Sequence, residues 1–177
     1  MASRRKGRIL AFQALYSWDT GYSQTGDKSI PDGLLDFPWI EPSAEPRSGV
    51  ASTTRSSPPV QTKPLEEETK VFSRLLVTGT IENIDVVDSM IGKHLENWEL
   101  KRLNRVDLAV LRMSVFTLMF QTDIHPSIVI DEAVELSKEF GTDDSYRFVN
   151  GVLDSVRKTL AAETASQSKS PETRTSR

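Results

Sequence analysis

Four cationic side chains crowd the start of the chain, with no acidic residue among them. They are Arg4, Arg5, Lys6 and Arg8, and Gln13 follows on the same predicted helix. Cations of this kind neutralise phosphates and supply the salt-dependent part of nucleic-acid binding. A basic run can equally be solubilising charge, so the cluster by itself leaves both RNA binding and a solvated tail open.

A second polar and aromatic group opens the last predicted helix. Its candidate RNA contacts are Asp144, Tyr146, Arg147, Phe148 and Asn150. Aromatic rings can stack on unpaired bases, arginine can pair with phosphate, and an amide can hydrogen-bond to a base edge. Periodicity alone favours a plainer interpretation, in which an Asp or Ser caps the helix and Phe148 lies in the core.

The remaining residue types give no sign of catalysis or of a metal site. The chain has no cysteine and two histidines, His94 and His125, neither of which has a ligand-type partner nearby in sequence. This excludes disulfides, thiolate catalysis and cysteine-based metal sites. The acidic residues Asp131, Glu132 and Glu135 are interpreted as a solvated helix face rather than as paired catalytic carboxylates. We therefore expect a binding protein and not an enzyme, with no cofactor and no metal.

Helical periodicity runs through most of the chain, and no segment shows convincing strand alternation. The predicted helices cover 4–20, ended by Gly21; 65–79, interrupted by Gly79; 81–95; 104–121; 127–140; and a last one from Asp143 or Asp144 to about residue 162. The predicted fold class is all-α, a compact bundle of about six to seven helices. One domain is expected over 1–162, followed by a disordered tail over 163–177.

The composition changes between residues 21 and 64, which hold seven of the nine prolines. Such a segment buries too little apolar surface to offset its ordering entropy, so we predict a largely disordered insertion in which 41–63 is dispensable. The apolar stretch Leu34–Ile40 is the exception, and a short hook packed on the domain is favoured over a docking motif for a partner.

The most apolar stretch, from Leu108 to Phe120, is shorter than the roughly 20 residues that a membrane span needs. The N-terminal region also lacks the pattern of a signal peptide. We therefore expect a cytoplasmic protein.

Three stretches of the chain resemble the NusB family of transcription antitermination factors. They are RRKGRILAFQALYSWD near the start, LLVTGTIENIDVVDSMIGKHLENWELKRLNRVDLAVLRMSVFTLMF in the middle, and IVIDEAVELSKEFGTDDSYRFVNGVLDSVRK near the end. They cover nearly all of the predicted helices. The resemblance implies an all-helical fold of two small bundles that binds boxA-type single-stranded RNA together with NusE, a ribosomal protein of the small subunit. It also implies assembly with RNA polymerase on ribosomal RNA operons.

The family's functional positions carry over residue by residue. The resemblance implies RNA contacts from the basic start, from Gln13 and from the five candidates at the last helix, and NusE contacts from Tyr16 and Asp107. Two rival functions remain at this point: a purely structural helical adaptor, and an RNA-targeting domain of the kind found in rRNA methyltransferases. A homodimer is compatible with the sequence and not required by it.

Overall fold

A computed structural model describes residues 2–39, 67–95 and 99–167, and these form an all-α fold. Six α-helices run in chain order, with two short 3-10 turns between them. The helices are α1 (Ala2–Thr25), α2 (Glu67–Glu82), α3 (Ile84–Lys93), α4 (Arg105–Phe120), α5 (Pro126–Phe140) and α6 (Ser145–Gln167). The predicted fold class is confirmed, and within the described ranges no helix is long and apolar enough to cross a membrane.

Helix α1 does not end at Gly21, and that prediction is wrong. The helix continues to Thr25 because Tyr22, one residue further on, stacks on Trp18 at 4.5 Å between ring centroids. This packing outweighs the cost of about 1 kcal/mol that a glycine carries inside a helix. The chain turns instead at Gly26, whose φ of 70° is the left-handed conformation that favours glycine after a helix end.

The predicted break at Gly79 is also wrong, because α2 runs through it and the break falls at Asn83. Gly79 serves close packing: a Cβ there would lie 2.2 Å from Cζ of Phe116 in α4. Glycine allows the Phe116 ring to pack directly on the α2 backbone.

Helix α4 is the centre of the fold, as its apolar sequence predicts. Asn104 caps it by accepting a hydrogen bond from the Val106 N–H at 3.0 Å, and every residue from 107 to 117 is buried. Arg112 lies in this buried stretch. Its guanidinium donates to both carboxylate oxygens of Asp88 in α3 at 2.8 Å and to Asp19 of α1 at 2.5 Å. One side chain therefore ties three helices together.

Helices α5 and α6 begin close to their predicted positions, and α5 ends before Gly141 as expected. His125 caps α5, and His94 packs between α3 and α6 with its Nε2 at 2.8 Å from Thr159 Oγ1. Both histidines therefore have packing or capping roles. Helix α6 continues to Gln167, beyond residue 163, where the sequence predicts the start of the tail.

The hook, residues 34–39, packs on the domain as predicted. Leu34 and Phe37 are buried, and Arg74 of α2 donates from Nε to the Leu35 carbonyl oxygen at 3.0 Å. Phe37 adopts a left-handed backbone with φ of 54°. Ile40 and the predicted linker 41–63 lie outside the described residues.

Candidate nucleic-acid interface

The outward face of α1 carries three of the side chains predicted to bind RNA or a partner. Lys6 and Tyr16 are exposed and Gln13 is half-buried, all on the side of the helix turned away from the core. Gln13 lies seven residues after Lys6, which places the two side chains on one stripe two turns apart. This stripe gives α1 a polar outer surface that begins at the basic end.

Arg4 and Arg5 are open to solvent, and each also contacts a side chain of another helix. The Arg4 guanidinium lies 4.8 Å from the centroid of the Phe72 ring in α2. Arg5 donates to Glu139 of α5 at 3.1 Å, but both side chains of that pair are more than 40% exposed. Exposed ion pairs are worth about 0–1 kcal/mol, so Arg5 can exchange its partner for a phosphate at little cost.

Arg8 differs from the other three cations because only 8% of it is exposed. Its guanidinium faces Glu132 of α5 at 3.7 Å and Phe72 at 5.7 Å from the ring centroid. Burial lowers the pKa of Arg8 from its ordinary value, and the charge of Glu132 opposes that change. Glu132 is therefore not part of a solvated acidic face, because it balances a buried cation between α1 and α5.

The close approach of α1 and α2 supports this arrangement. A Cβ on Gly7 would lie 2.6 Å from Cδ1 of Phe72, and the Ser73 hydroxyl donates to the Gly7 carbonyl oxygen at 2.9 Å. Phe72 therefore lies directly beneath the basic cluster and contacts two of its arginines.

At the start of α6, Tyr146 lies beside Lys138 near the end of α5, and Arg147 lies next to Tyr146. Arg147 donates from Nε to the Tyr146 hydroxyl oxygen at 2.9 Å, and this contact raises the pKa of Arg147. The ammonium of Lys138 lies 5.8 Å from the centroid of the Tyr146 ring. Lys138 directly precedes Glu139, the partner of Arg5, so consecutive residues of α5 connect the two predicted RNA-binding groups.

The five candidates at or just before the start of α6 do not share one face. Asp144 and Phe148 line a cleft of about 320 Å³ between the start of α4 and the start of α6, whereas Tyr146 faces Lys138 of α5. Arg147 contacts Tyr146 and forms an exposed ion pair with Asp144 at 3.6 Å. Asn150 is exposed one turn after Tyr146. The cleft also holds Asp107, which the resemblance assigns to the protein partner. RNA-side and partner-side candidates therefore meet at this helix.

Asp107 carries an unusual buried carboxylate. The side chain is 7% exposed, and its Oδ1 has no hydrogen-bond donor. Burial raises the pKa of the Asp107 carboxyl, and the neighbouring Ser145 hydroxyl offsets only part of that rise. A buried acceptor without a donor costs free energy, so this oxygen is suited to a donor supplied from outside the chain.

Tyr16 and Asp107 lie on either side of the junction between α1 and α4. Tyr16 is 41% exposed. Arg105, two residues before Asp107, donates to Thr20, one turn after Tyr16, at 3.0 Å. This contact joins the helix that carries Tyr16 to the start of the helix that carries Asp107.

Two side chains near these candidates could not be predicted from the sequence. Lys138 had no distinguishing signal, because one lysine on an amphipathic helix is unremarkable. Trp39 had a signal, since it lies in the apolar hook, but its hydrogen bond from Nε1 to Gln13 Oε1, at 2.9 Å, depends on how the hook folds back on α1. Neither position could be assigned without the tertiary structure.

Six packed helices that present cations and aromatic rings where α1, α5 and α6 meet define an all-α binding module. The model of the NusB family matches residues 5–158. The transcription antitermination protein NusB of Treponema denticola is 46% identical over 155 residues, which cover 87% of this chain and 95% of that protein. The chain belongs to the NusB family.

Solved structures support the same fold. NusB of T. maritima superposes with a TM-score of 0.65 at 30% identity, covering 88% of this chain and 90% of that one. A structure of the antitermination factors NusB and NusE in complex with dsRNA has a TM-score of 0.64 at 24% identity, covering 90% and 98% of the two chains.

Proposed function

We propose that this protein is a transcription antitermination factor that binds boxA-type single-stranded RNA together with NusE and acts, with RNA polymerase, on ribosomal RNA operons in the cytoplasm. Membership of the NusB family supports this function. The structural observation that carries it is the junction at the end of α5, where Glu139 contacts Arg5 and Lys138 contacts Tyr146. A single strand can follow such a surface with phosphates on the cations and bases on the ring.

The direct test is the binding of a fluorescein-labelled boxA-type RNA to the full chain, followed by anisotropy at several salt concentrations with and without NusE. The proposal expects binding that weakens with salt and strengthens when NusE is present. A chain that binds NusE but shows no RNA affinity under either condition would instead be a structural adaptor.

Replacing Tyr146 by alanine should weaken RNA binding by about 1–3 kcal/mol, because a base loses its stacking partner. The slope of affinity against salt should remain nearly unchanged, because no phosphate contact is removed. Anisotropy titrations of the variant measure both quantities. Tyr146→Phe is the matched control, since it keeps the ring and loses only the hydroxyl that accepts from Arg147. Equal affinities for the alanine variant and the unmodified chain would exclude stacking at this position.

For NusE, the structure supports a role for the unpartnered oxygen of Asp107. A donor from the partner that reaches into the cleft would satisfy Oδ1, and a hydrogen bond to a charged group is worth about 1.5–3 kcal/mol. Because the folded pKa of Asp107 lies above its unfolded value, the folded state binds the proton more tightly. As the pH rises through the pKa of Asp107, the carboxyl becomes charged, and the free chain loses stability.

Asp107→Asn should consequently separate binding from stability. Affinity for NusE should fall, while the free energy of unfolding at neutral pH should stay the same or rise, because the buried charge is gone. Calorimetric titration with NusE and urea unfolding measure the two effects. Asp144→Asn is a useful control, since the Asp144 side chain lines the same cleft but is 86% exposed. Unchanged NusE affinity in Asp107→Asn would place the interface elsewhere.

A further inference from the structure

The hook ends in an exposed aromatic side chain that no part of the proposed function uses. The Trp39 indole is 43% exposed, although it is held on two sides. Its Nε1 donates to Gln13 Oε1 at 2.9 Å, and its ring meets Phe37 edge-on at 5.8 Å between centroids. A large apolar ring that stays open to solvent while its orientation is fixed is suited to stacking.

The backbone before Trp39 is strained to hold it there. Phe37 has a φ of 54°, a left-handed conformation that side chains other than Gly, Asn and Asp rarely adopt. Its ring is fully buried, and Arg74 fixes the hook through the Leu35 carbonyl. Such strain persists where the surrounding contacts determine it, and it is concentrated at functional sites.

The contact with Trp39 also determines what Gln13 offers to a ligand. An indole N–H can only donate, so the amide of Gln13 must turn its oxygen toward Trp39. The two hydrogens on Gln13 Nε2 take no part in the hydrogen bond with Trp39, so they can be donated to an acceptor on a ligand. Gln13 therefore presents donors beside an open aromatic ring.

The surrounding charge favours a nucleic-acid strand at this place. Lys6 is exposed two turns before Gln13 on the same face of α1, and Arg4 and Arg5 lie at the same end of the helix. Cations here can hold the phosphates of a strand whose bases reach Gln13 and Trp39.

We propose that Trp39 and Gln13 form a base-reading pair, in which Trp39 stacks on one unpaired base of the RNA and Gln13 Nε2 donates to an acceptor on the edge of that base. This inference rests on the proposed RNA-binding function and adds a contact on the hook, on a different element from Tyr146 of α6. It assigns the hook to the RNA-binding surface.

The experiment measures anisotropy of the labelled boxA-type RNA, and of a set in which each base in turn is replaced by an abasic site, with the full chain and NusE. Trp39→Ala should weaken binding roughly 5- to 150-fold. One abasic position that weakens binding to the unmodified chain should have no further effect in Trp39→Ala. Tyr146→Ala should remain sensitive to that same position.

Two further variants separate stacking from hydrogen bonding. Trp39→Phe keeps a stacking ring and should retain most of the affinity. Gln13→Glu can still accept from Trp39 but has no donor for the base, so it should bind RNA more weakly. Phe120→Ala is the matched control, because Phe120 is equally exposed at 47% and packs on Phe116 in α4. Thermal unfolding followed by circular dichroism must show that each variant is folded.

The outcomes distinguish this inference from the function on which it rests. If the unmodified chain binds no RNA, the proposed function fails and the base-reading pair with it. If the chain binds RNA and Trp39→Ala binds with the same affinity and the same abasic profile, only the base-reading pair is excluded. A loss of NusE affinity at unchanged RNA affinity would equally overturn it, because Trp39 would then be a protein contact.

Discussion

Replacing Arg112 by methionine is expected to lower the free energy of unfolding by about 3–5 kcal/mol, the cost of removing one partner from a buried ion pair. Only 5% of Arg112 and 4% of Asp19 are exposed, so the substitution leaves the Asp19 carboxylate buried without a cation. The same change removes the contact with Asp88. Since small domains have about 5–15 kcal/mol of stability in total, the loss is large. Urea unfolding followed by circular dichroism measures it.

Two controls identify the cause. Asp88→Asn should cost less than Arg112→Met, because the Asp88 side chain is 19% exposed and water can replace part of its contact. The double variant Asp19→Leu with Arg112→Met should recover much of the lost stability, because the buried carboxylate of Asp19 is gone and only the partly exposed charge of Asp88 remains. A cost below about 1 kcal/mol for Arg112→Met alone would contradict the assigned role.

Neutralising Arg4, Arg5 and Lys6 together should reduce the dependence of RNA affinity on salt by about 2 units of slope. Each phosphate contact on a single strand contributes about 0.7, and the structure leaves three cations of the N-terminal cluster accessible. Between about 50 and 200 mM salt, the unmodified chain should then lose roughly 16-fold more affinity than the triple glutamine variant. Anisotropy titrations over this range measure the slope.

Arg8→Gln is the matched control for this experiment. It removes one charge from the same cluster, but a buried one that faces Glu132. The salt slope should therefore stay unchanged, while the stability falls because Glu132 loses its cation. A triple variant that keeps the full slope would show that the accessible charges do not contact the RNA.

The periodicity of apolar residues was sufficient to predict six helices and the buried centre at α4, because helix periodicity follows directly from which residues must be buried. It failed at Gly21 and Gly79 for a common reason. Glycine is a local signal for a helix end, but at both positions tertiary packing keeps the helix intact. Tyr22 stacks on Trp18 next to Gly21, and Phe116 fills the space beside Gly79.

The candidate site was predictable in residue type and not in arrangement. The basic start and the opening of α6 stand out in the sequence. That Arg8 turns inward to Glu132, and that Trp39 reaches Gln13, depends on the register between separate elements. Pattern analysis contains no information about that register. The open acceptor of Asp107 was invisible for the same reason, because an unmet hydrogen bond is a property of the packed structure.

The two ends of the long connection between the hook and α2 are each fastened to the same helix. Before the connection, Trp39 is hydrogen-bonded to Gln13 of α1. After the connection, Phe72 of α2 packs against Gly7 and Arg4 of α1. The entropy of closing a loop grows slowly, by about 0.6 kcal/mol for each doubling of length. We therefore propose that changes in the length or sequence of the connection 40–66 have a small thermodynamic cost, because the contacts on both sides of it hold the hook and α2 against α1.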